Sequence, residues 1–143
     1  MNYKHHAEKL ETFLKEELAR KPPLTVMQDK SIAYKSYIIK QTKQGMWALR
    51  YATGDIIDQF RIKTTASLAA KFYDTTNFTR YNEVKNLDTE YWNNNNDADF
   101  FKHRYENAKD LDKRDLFLWR WELTRARASK CKEQISSMFK SNF

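Results

Sequence analysis

The stretch that decides the fold spans residues 44–60 and reads QGMWALRYATGDIIDQF. Two runs rich in aromatic and β-branched residues lie on either side of a Thr-Gly-Asp turn, a pattern typical of a β-hairpin. Both glycines of the chain, Gly45 and Gly54, fall at the two expected turns. We therefore expect a tight antiparallel hairpin here, with one strand on each side of Gly54.

The first strand of this hairpin has two chemically different sides. Successive side chains of a strand alternate between the faces of a sheet, so Trp47 and Arg50 point in opposite directions. The pattern leaves open which side the next helix covers. If the helix covers Trp47, the outward side is Arg50 with its lysine neighbours, and binding rests on charge. If it covers Ala48, then Trp47 and Tyr51 are displayed or are covered by the C-terminal helices.

Outward from the hairpin, the pattern predicts an α+β protein. The preceding run, YKSYIIK, alternates like a strand, and the following run, KTTASLAAKFYD, has helical spacing with Thr64 or Thr65 as its cap. Residues 34–76 are therefore predicted to form a small three-stranded antiparallel sheet with a packing helix. Residues 1–22 are predicted to form an amphipathic N-terminal helix that ends at two prolines.

Residues 77–143 are predicted to be a helical extension that ends in a long helix. The asparagine run at residues 93–96 indicates a polar linker, Asp97 would cap the next helix, and the last helix would start near Asp112. The apolar face of that last helix is too wide for a coiled-coil seam and indicates burial on two sides. The three parts are expected to form one compact unit.

The charge of the chain favours an anionic partner. The 143 residues have a formal net charge of +7 at pH 7. Residues 23–76 hold eight basic and four acidic residues, so the segment with the hairpin has the largest positive excess. This balance favours nucleic acid or an acidic protein surface as partner. The alternative explanation is that a net charge of this size keeps a small protein soluble.

Other features predict a soluble protein of a reducing compartment. The single cysteine, Cys131, excludes an internal disulfide. The first residues, MNYKHHAEKLETF, contain no apolar secretory segment, and no apolar run reaches the length of a membrane span. We expect a cytoplasmic protein, in the host-cell cytoplasm if it is phage-encoded, that binds no membrane. Oligomer formation is left open.

Catalytic and metal-binding patterns are weak, which predicts a non-enzymatic protein with no cofactor and no metal. Cys131 lies at an apolar helix position, as a buried structural thiol does. His103, Glu106 and Asp110 share a helix face, but a solvated face is the simpler interpretation. Arg61 stands where a restriction-type nuclease needs an acidic residue, and no glycine-rich phosphate loop is present.

Residues 36–74 contain an ordered set of residues: Gly45, Trp47, Ala48, Arg50, Gly54, Phe60, Thr64, Ala69, Ala70, Tyr73 and Asp74. This order resembles the ethylene-response-factor type of DNA-binding domain, which also occurs in phage and homing-endonuclease proteins. The chain departs from the family at Lys40, where the first strand lacks the family's Tyr-Arg-Gly-Val run, and at Asp58 and Gln59, which replace a Leu-Gly pair. The resemblance implies a three-stranded sheet that lies in the major groove while its helix packs on the other face.

The candidate nucleic-acid contacts are basic residues interleaved with an aromatic one: Lys40, Lys43, Trp47, Arg50, Arg61, Lys63, Arg120 and Arg127. Cations at strand ends would neutralise phosphates, and Arg50 or Arg61 would contact guanine edges. Trp47 would pack on a sugar or base, or else be a core residue against the helix. Arg120 and Arg127, in a stripe with Lys113, would track phosphates or form a solvated face.

Two functions from different classes follow from these observations. The first is a small basic nucleic-acid-binding protein that uses its sheet, with DNA preferred to RNA. The second is a phage-type protein–protein interaction protein, such as an inhibitor, an assembly factor or a virion component. The aromatic tail ISSMFKSNF supports the second, because Phe139 and Phe143 either anchor in a partner or close the core.

Overall fold

The computed structural model describes residues 24–143 and shows an α+β fold, which confirms the predicted class. One antiparallel sheet has the strand order β1-β2-β3-β4-β5. Its strands are β1 (Thr25–Val26), β2 (Ile32–Tyr34), β3 (Tyr37–Gln41), β4 (Trp47–Tyr51) and β5 (Ile56–Phe60). The helices are α1 (Lys63–Asp74), α2 (Phe78–Asn107) and α3 (Leu111–Asn142). The predicted helix of residues 1–22 lies outside the described residues.

The sheet has five strands, so the prediction of three is wrong. The run YKSYIIK is not one strand but a β2–β3 hairpin, in which Tyr34 pairs with Tyr37 across a two-residue turn. Lys35 in that turn has a positive φ of 51°. Such turns usually contain Gly, Asn or Asp. Because a lysine occupies this position, the sequence pattern did not predict a turn here. β1 has only two residues, too few for a periodic signal.

Helix α2 runs without a break through residues 93–96, so the predicted linker and the predicted cap at Asp97 are both wrong. The Asn94 side chain donates a hydrogen bond to the Glu90 carbonyl at 2.8 Å, and Ala98 is buried. Asparagine has a weak helix propensity, but the packing of α2 along α3 outweighs it.

Helix α1 packs on the face of the sheet that carries Trp47 and Leu49, which answers the question left open by the alternation of the hairpin. Leu49 and Phe60 are fully buried there, and α1 contributes an unbroken run of buried residues at 65–70. The base of the α2–α3 hairpin closes the same core with Tyr81, Val84, Leu87, Ile135, Met138, Phe139 and Phe143.

Helix α1 begins without a side-chain cap of its own, so the prediction that Thr64 or Thr65 caps it is wrong. Ile62 is the N-cap residue and has no side-chain acceptor. The Asp88 carboxylate of α2 instead accepts hydrogen bonds from the backbone N–H groups of Arg61 (2.8 Å) and Ile62 (3.0 Å). Burial raises the pKa of Asp88, and the two amide hydrogen bonds oppose that rise.

The half of the α2–α3 hairpin that lies far from the sheet packs separately. Among the described residues, the core cluster includes none between 88 and 134. Residues 93–128, which we call the arm, are held by packing of α2 along α3, including a ring contact of 5.9 Å between Tyr105 and Trp121. Helix α2 continues for about 30 Å past Leu87, at 1.5 Å per residue.

Candidate nucleic-acid interface

The face of the sheet opposite α1 carries the candidate site. Lys40 of β3 pairs with Ala48 of β4, and Ala48 in turn pairs with Gln59 of β5. Arg50 lies two residues from Ala48, so its side chain projects from the same side as those of Lys40 and Gln59. We call this side the open face and define it by Ile38, Lys40, Arg50, Ile56 and Gln59.

The open face lines a hollow of about 710 Å³. Three lining residues are cationic, Lys40, Lys43 and Arg50, and one, Asp29, is acidic. The rest of the lining is polar or aliphatic: Met27, Ser31, Ile38, Gln41, Thr42, Gln44, Ile56 and Gln59. Positive charge therefore accumulates on the side of the sheet that no helix of residues 24–143 covers.

Arg50 is held in place by the turn that follows it. Its Nη1 donates a hydrogen bond to the Gly54 carbonyl at 2.9 Å. Gly54 has a φ of 101°, a conformation that residues with a Cβ rarely adopt. A guanidinium has five N–H donors, and this hydrogen bond uses one of them. The turn thus orients a planar fork of donors that fits an anionic or base-edge acceptor.

Asp29 supplies the one carboxylate that lines the hollow. Hydrogen bonds from the Ser31 side chain and backbone lower the pKa of Asp29, which keeps it ionised at neutral pH. Lys40 Nζ lies 3.6 Å from Asp29 Oδ2, and both side chains are more than half exposed. Such an exposed pair is weak, so an anionic ligand can compete with Asp29 for Lys40.

Trp47 lies on the covered face, opposite Arg50. Its ring is partly buried against the core, and Lys63 Nζ lies 5.5 Å from the ring centroid. This placement agrees with the interpretation of Trp47 as a core residue rather than as a contact with a sugar or base. The hollow therefore depends on charge and not on this aromatic ring.

Arg61 and Lys63 lie at the edge of the sheet and not in the hollow. Arg61 follows β5, and its guanidinium lies 4.0 Å from the ring centroid of Trp92 in α2. Lys63 is the first residue of α1 and lies near Trp47. Both cations contact aromatic rings that help to join the sheet to the helices.

Arg120 and Arg127 belong to α3, on the arm. Both are exposed, and the Arg120 guanidinium lies 5.7 Å from the ring centroid of Phe101. The structure does not bring them into the hollow. Of the eight predicted contact residues, it brings together three: Lys40, Lys43 and Arg50.

Sequence reasoning missed a cluster of aromatic rings beside the hollow. Tyr73 of α1 has ring-centroid distances of 5.9 to 6.3 Å to four neighbours: Tyr37, Tyr51, Phe78 and Tyr81. A second hollow of about 550 Å³ opens there and shares Ile56 with the first. No local pattern could reveal the cluster, because its rings come from two strands and two helices.

A partly buried carboxylate ties α2 to the edge strand β5. Asp58 Oδ2 accepts hydrogen bonds from the Tyr81 hydroxyl and the Lys85 ammonium, each at 2.6 Å. Burial acts to raise the pKa of Asp58, but the hydrogen bonds from Lys85, Tyr81 and the Gln59 amide outweigh it and leave the pKa below its ordinary value. Burial and the same hydrogen bond raise the pKa of Tyr81.

The groups considered for catalysis or metal binding have ordinary surroundings. Within residues 24–143, no three His, Cys, Asp or Glu side chains are grouped to hold a metal. The His103 ring lies 3.4 Å from the Asn107 amide. Burial and the Glu90 carboxylate raise the pKa of Cys131, so its thiol stays protonated. None of the three helices has an apolar stretch able to cross a bilayer.

Neither a protein-family model, nor a curated protein, nor a solved structure matches this chain. The resemblance of residues 36–74 to the ethylene-response-factor type of domain therefore stays a prediction. The fold and the hollow define a small α+β protein with a basic sheet face that no helix of residues 24–143 covers, and its function is inferred from that geometry.

Proposed function

We propose that this protein is a small, non-enzymatic nucleic-acid-binding protein that lays the open face of its sheet against a phosphate backbone. One observation carries the proposal: Lys40, Lys43 and Arg50 line a single hollow on the side of the sheet that no described helix covers. A polyanion is bound best by cations that converge on one accessible surface. Such binding needs no cofactor and suits a cytoplasmic protein.

The residues of the hollow differ in their roles. Lys40 and Lys43 are flexible point charges that neutralise phosphates and release condensed counterions. Arg50 presents a planar fork that fits a phosphate or the O6 and N7 acceptors of guanine. Gln59 offers an amide beside it, which fits the N6 and N7 groups of adenine. The lysines would position the sheet, and Arg50 with Gln59 would read base edges.

Duplex DNA suits this surface better than duplex RNA. The major groove of B-DNA admits a two-stranded β-ribbon, whereas that of A-form RNA is too deep and narrow for side chains to read. Strands β3 and β4 are neighbouring strands of the sheet that carry Lys40 and Arg50, and Lys43 lies in the loop that joins them. We therefore expect the open face of β3 and β4, with this loop, to lie in the groove.

The salt dependence of DNA binding tests the proposal. The full chain is titrated into a labelled random-sequence duplex over a series of salt concentrations, and fluorescence anisotropy gives the affinity. Each phosphate contact contributes about −0.9 to the slope of log affinity against log salt. Changing Lys40, Lys43 and Arg50 together to Ala removes three contacts, so the slope should become shallower by about 3.

A matched control separates the open face from net charge. Lys130, Lys132 and Lys140 are exposed on α3, and changing these three to Ala alters the net charge by the same amount. This control should keep the wild-type slope to within about one phosphate contact. If the open-face variant keeps the full slope, or if the control loses as much, binding does not occur through the open face and the proposal is wrong.

A second candidate is a protein–protein interaction protein of the inhibitor, assembly-factor or virion-component type that binds an acidic protein surface. The C-terminal tail does not favour it, because Phe139 and Phe143 pack against the core and the Phe143 ring lies 5.6 Å from that of Tyr34. The arm does favour it, since Phe100 and Trp119 are more than half exposed. Tight binding to an acidic protein, with no duplex binding at low salt, would support this candidate.

A further inference from the structure

The outward side of α3 carries an apolar stripe that is exposed in the described part of the chain. Leu116, Trp119, Leu123 and Ala126 are spaced by three and four residues, so they share one face of the helix. Trp119 is 58% exposed and Leu116 is 47% exposed. Tryptophan is highly buried on average, so this exposure on a folded helix marks an interaction surface.

This stripe is distinct from the side of α3 that packs on α2. Thr124, Ala128 and Cys131 are buried, and at 100° per residue they lie on the opposite half of the helix from Trp119. The wide apolar face of this helix predicts burial on two sides. Helix α2 covers one side, and no other element of residues 24–143 packs on the side with Trp119.

The exposed stripe has the spacing of a short heptad seam. Leu116 and Leu123 occupy a positions, and Trp119 and Ala126 occupy d positions. Helix α3 is already folded against α2, so a partner helix would not have to order it. A seam of about two heptads on a preformed helix therefore needs less apolar contact than an isolated coiled coil does.

Charged residues flank the seam in a regular order. Asp115 and Glu122 occupy g positions on one side, and Arg120 and Arg127 occupy e positions on the other. In a parallel helix pair, a g residue meets the e residue five positions later on the other helix. Two parallel copies of α3 would therefore bring Glu122 against Arg127, and Asp115 against Arg120.

We propose that two copies of this chain associate through α3 as a parallel helix pair, with Trp119 at the centre of the seam. The partner is a second copy because one flank is acidic and the other basic, so the surface is complementary to itself. The acidic flank also disfavours a nucleic acid as occupant, since Asp115 and Glu122 would repel phosphates. The inference is independent of the proposed nucleic-acid binding, because no open-face residue belongs to the seam.

The flanking charges also determine whether the parallel or the antiparallel orientation of the helix pair is more stable. In an antiparallel pair e positions face e and g positions face g, so Arg120 would face Arg120 and Glu122 would face Glu122 of the second copy. Asp112 and Lys130 lie just beyond the two ends of the stripe. In an antiparallel pair, Asp112 of one copy would lie near Lys130 of the other and attract it. These two residues form fewer ion pairs than the flanking residues do, and they lie at the solvent-exposed ends of the seam. The flanking charges therefore favour the parallel orientation.

Sedimentation velocity on the full chain tests the association. At micromolar concentration and low salt, the wild-type chain should sediment as a dimer and the W119E variant as a monomer. At a concentration low enough for the wild-type dimer to dissociate, the far-UV circular dichroism and Tm of W119E should match the wild type, because Trp119 is exposed and only the dimer adds further stability. The matched control is F100E, which adds the same charge at a residue of the arm that is 52% exposed and lies on α2, outside the seam. It should remain a dimer.

Charge reversal tests which residues pair. E122R and R127E should each weaken the dimer at least tenfold, since each variant places like charges together at both symmetry-related pairs. An equimolar mixture of E122R and R127E should recover a heterodimer close to wild-type affinity. In an antiparallel pair, E122R would replace the repulsion between two glutamates by repulsion between two arginines. The affinity of the dimer would then stay unchanged.

Disulfide trapping reads the orientation directly. In a parallel pair, Ala126 meets Ala126 of the second copy, so A126C should form a covalent dimer on mild oxidation. The control K132C places an exposed cysteine off the seam on the same helix and should stay monomeric on a non-reducing gel, as should the wild type with its buried Cys131.

Five outcomes would each overturn the proposal. The first four are a wild-type chain that is monomeric, a W119E variant that still dimerises, an F100E variant that dissociates as W119E does, and charge-reversed variants that do not recover on mixing. Failure of A126C to crosslink while the other results hold would also reject the parallel pair. None of these outcomes bears on DNA binding through the open face.

Discussion

Asp88 belongs to α2, yet it supplies the cap of α1. Its side chain is only 4% exposed, and it accepts the N–H groups of Arg61 and Ile62. Donors at a buried helix start need an acceptor, and the aliphatic side chain of Ile62 cannot provide one. No pattern near the helix start predicts this contact, because the acceptor lies 26 residues later in the chain.

Removing the Asp88 carboxylate should destabilise the fold. We expect D88A to lower the free energy of unfolding by about 2 kcal/mol, because two amide donors lose their acceptor. D88N keeps the shape and one oxygen, and should lose about half as much. Urea unfolding monitored by circular dichroism measures both. Wild-type stability in D88A would show that α1 does not depend on this cap.

Asp58 should make stability depend on acid pH. Burial acts to raise its pKa, but hydrogen bonds from Lys85 and Tyr81 leave the pKa below the ordinary value of 3.8. The unfolded chain then binds more protons than the folded one as the solution becomes acidic. The stability that Asp58 contributes is therefore fully present above about pH 5 and is lost as the pH falls through the folded-state pKa.

The test compares D58N with the wild type in urea at a series of pH values. D58N should be less stable at pH 7 by about 1–2 kcal/mol, through weaker hydrogen bonds to Tyr81 and Lys85. Its stability should also fall less steeply than that of the wild type as the pH decreases from about 5. Y81F removes one donor and should show part of both effects. An unchanged pH slope in D58N would contradict this role.

At the scale of elements, α1 ends in a motif that usually contains glycine. The N–H of Asn77 donates to the Phe72 carbonyl at 2.8 Å, and the N–H of Thr76 donates to the Tyr73 carbonyl at 3.1 Å. These two hydrogen bonds define a Schellman motif, in which Thr76 has a φ of 55°. A β-branched residue is strained in this left-handed conformation.

Replacing Thr76 by glycine should stabilise the protein. We expect T76G to raise the free energy of unfolding by about 1 kcal/mol, because glycine adopts a positive φ without a steric penalty. The control is T75G at the neighbouring position, where φ is −86° and glycine offers no relief. T75G should be neutral or destabilising in the same thermal-unfolding experiment. A T76G variant no more stable than T75G would show that strain at Thr76 is negligible.

The elements also show where sequence patterns were informative. The β4–β5 hairpin follows the alternation of its residues, and both glycines take the expected positive φ, 85° at Gly45 and 101° at Gly54. The β2–β3 turn at Lys35 lacks the usual turn residues, and the asparagines of α2 have poor helix propensity. At the turn, the pairing of β2 with β3 outweighs the local preference, and in α2 the packing along α3 does.

At the scale of the whole molecule, two kinds of packing hold the chain. One core joins the covered face of the sheet, α1 and the base of the α2–α3 hairpin. The arm depends on contacts between its own two helices. The core thus supports the open face from behind, whereas the arm presents the seam that we propose for association with a second copy.

Native-state hydrogen exchange should separate these two units. Backbone amides of the arm should exchange faster than those of α1, because local opening of the arm leaves the core intact. Mass spectrometry of peptic fragments resolves residues 93–107 from residues 65–74. Equal protection in both segments would show that the hairpin and the core open as one unit.

The candidate site shows how much of a binding surface the sequence pattern can predict. The excess of positive charge in residues 23–76 predicted a basic surface near the hairpin, and Lys40, Lys43 and Arg50 do line one hollow. Trp47, Arg61 and Lys63 lie elsewhere, because the covering helix and the end of β5 direct them away from the open face. A pattern along the chain has no information on which residues a helix will cover.

The amino-acid sequence by itself determined the α+β class, the hairpin with its two glycine turns, the helical C-terminal half and the surplus of positive charge. These depend on local periodicity, on backbone freedom at glycine and on composition. The tertiary structure alone decided that α1 covers the Trp47 side, that Asp88 caps α1 and that three cations share one hollow. Those features arise from contacts between residues far apart in the chain, and the packing of sheet, helix and hairpin selects them because it buries the apolar core and leaves the cations of the open face accessible to water.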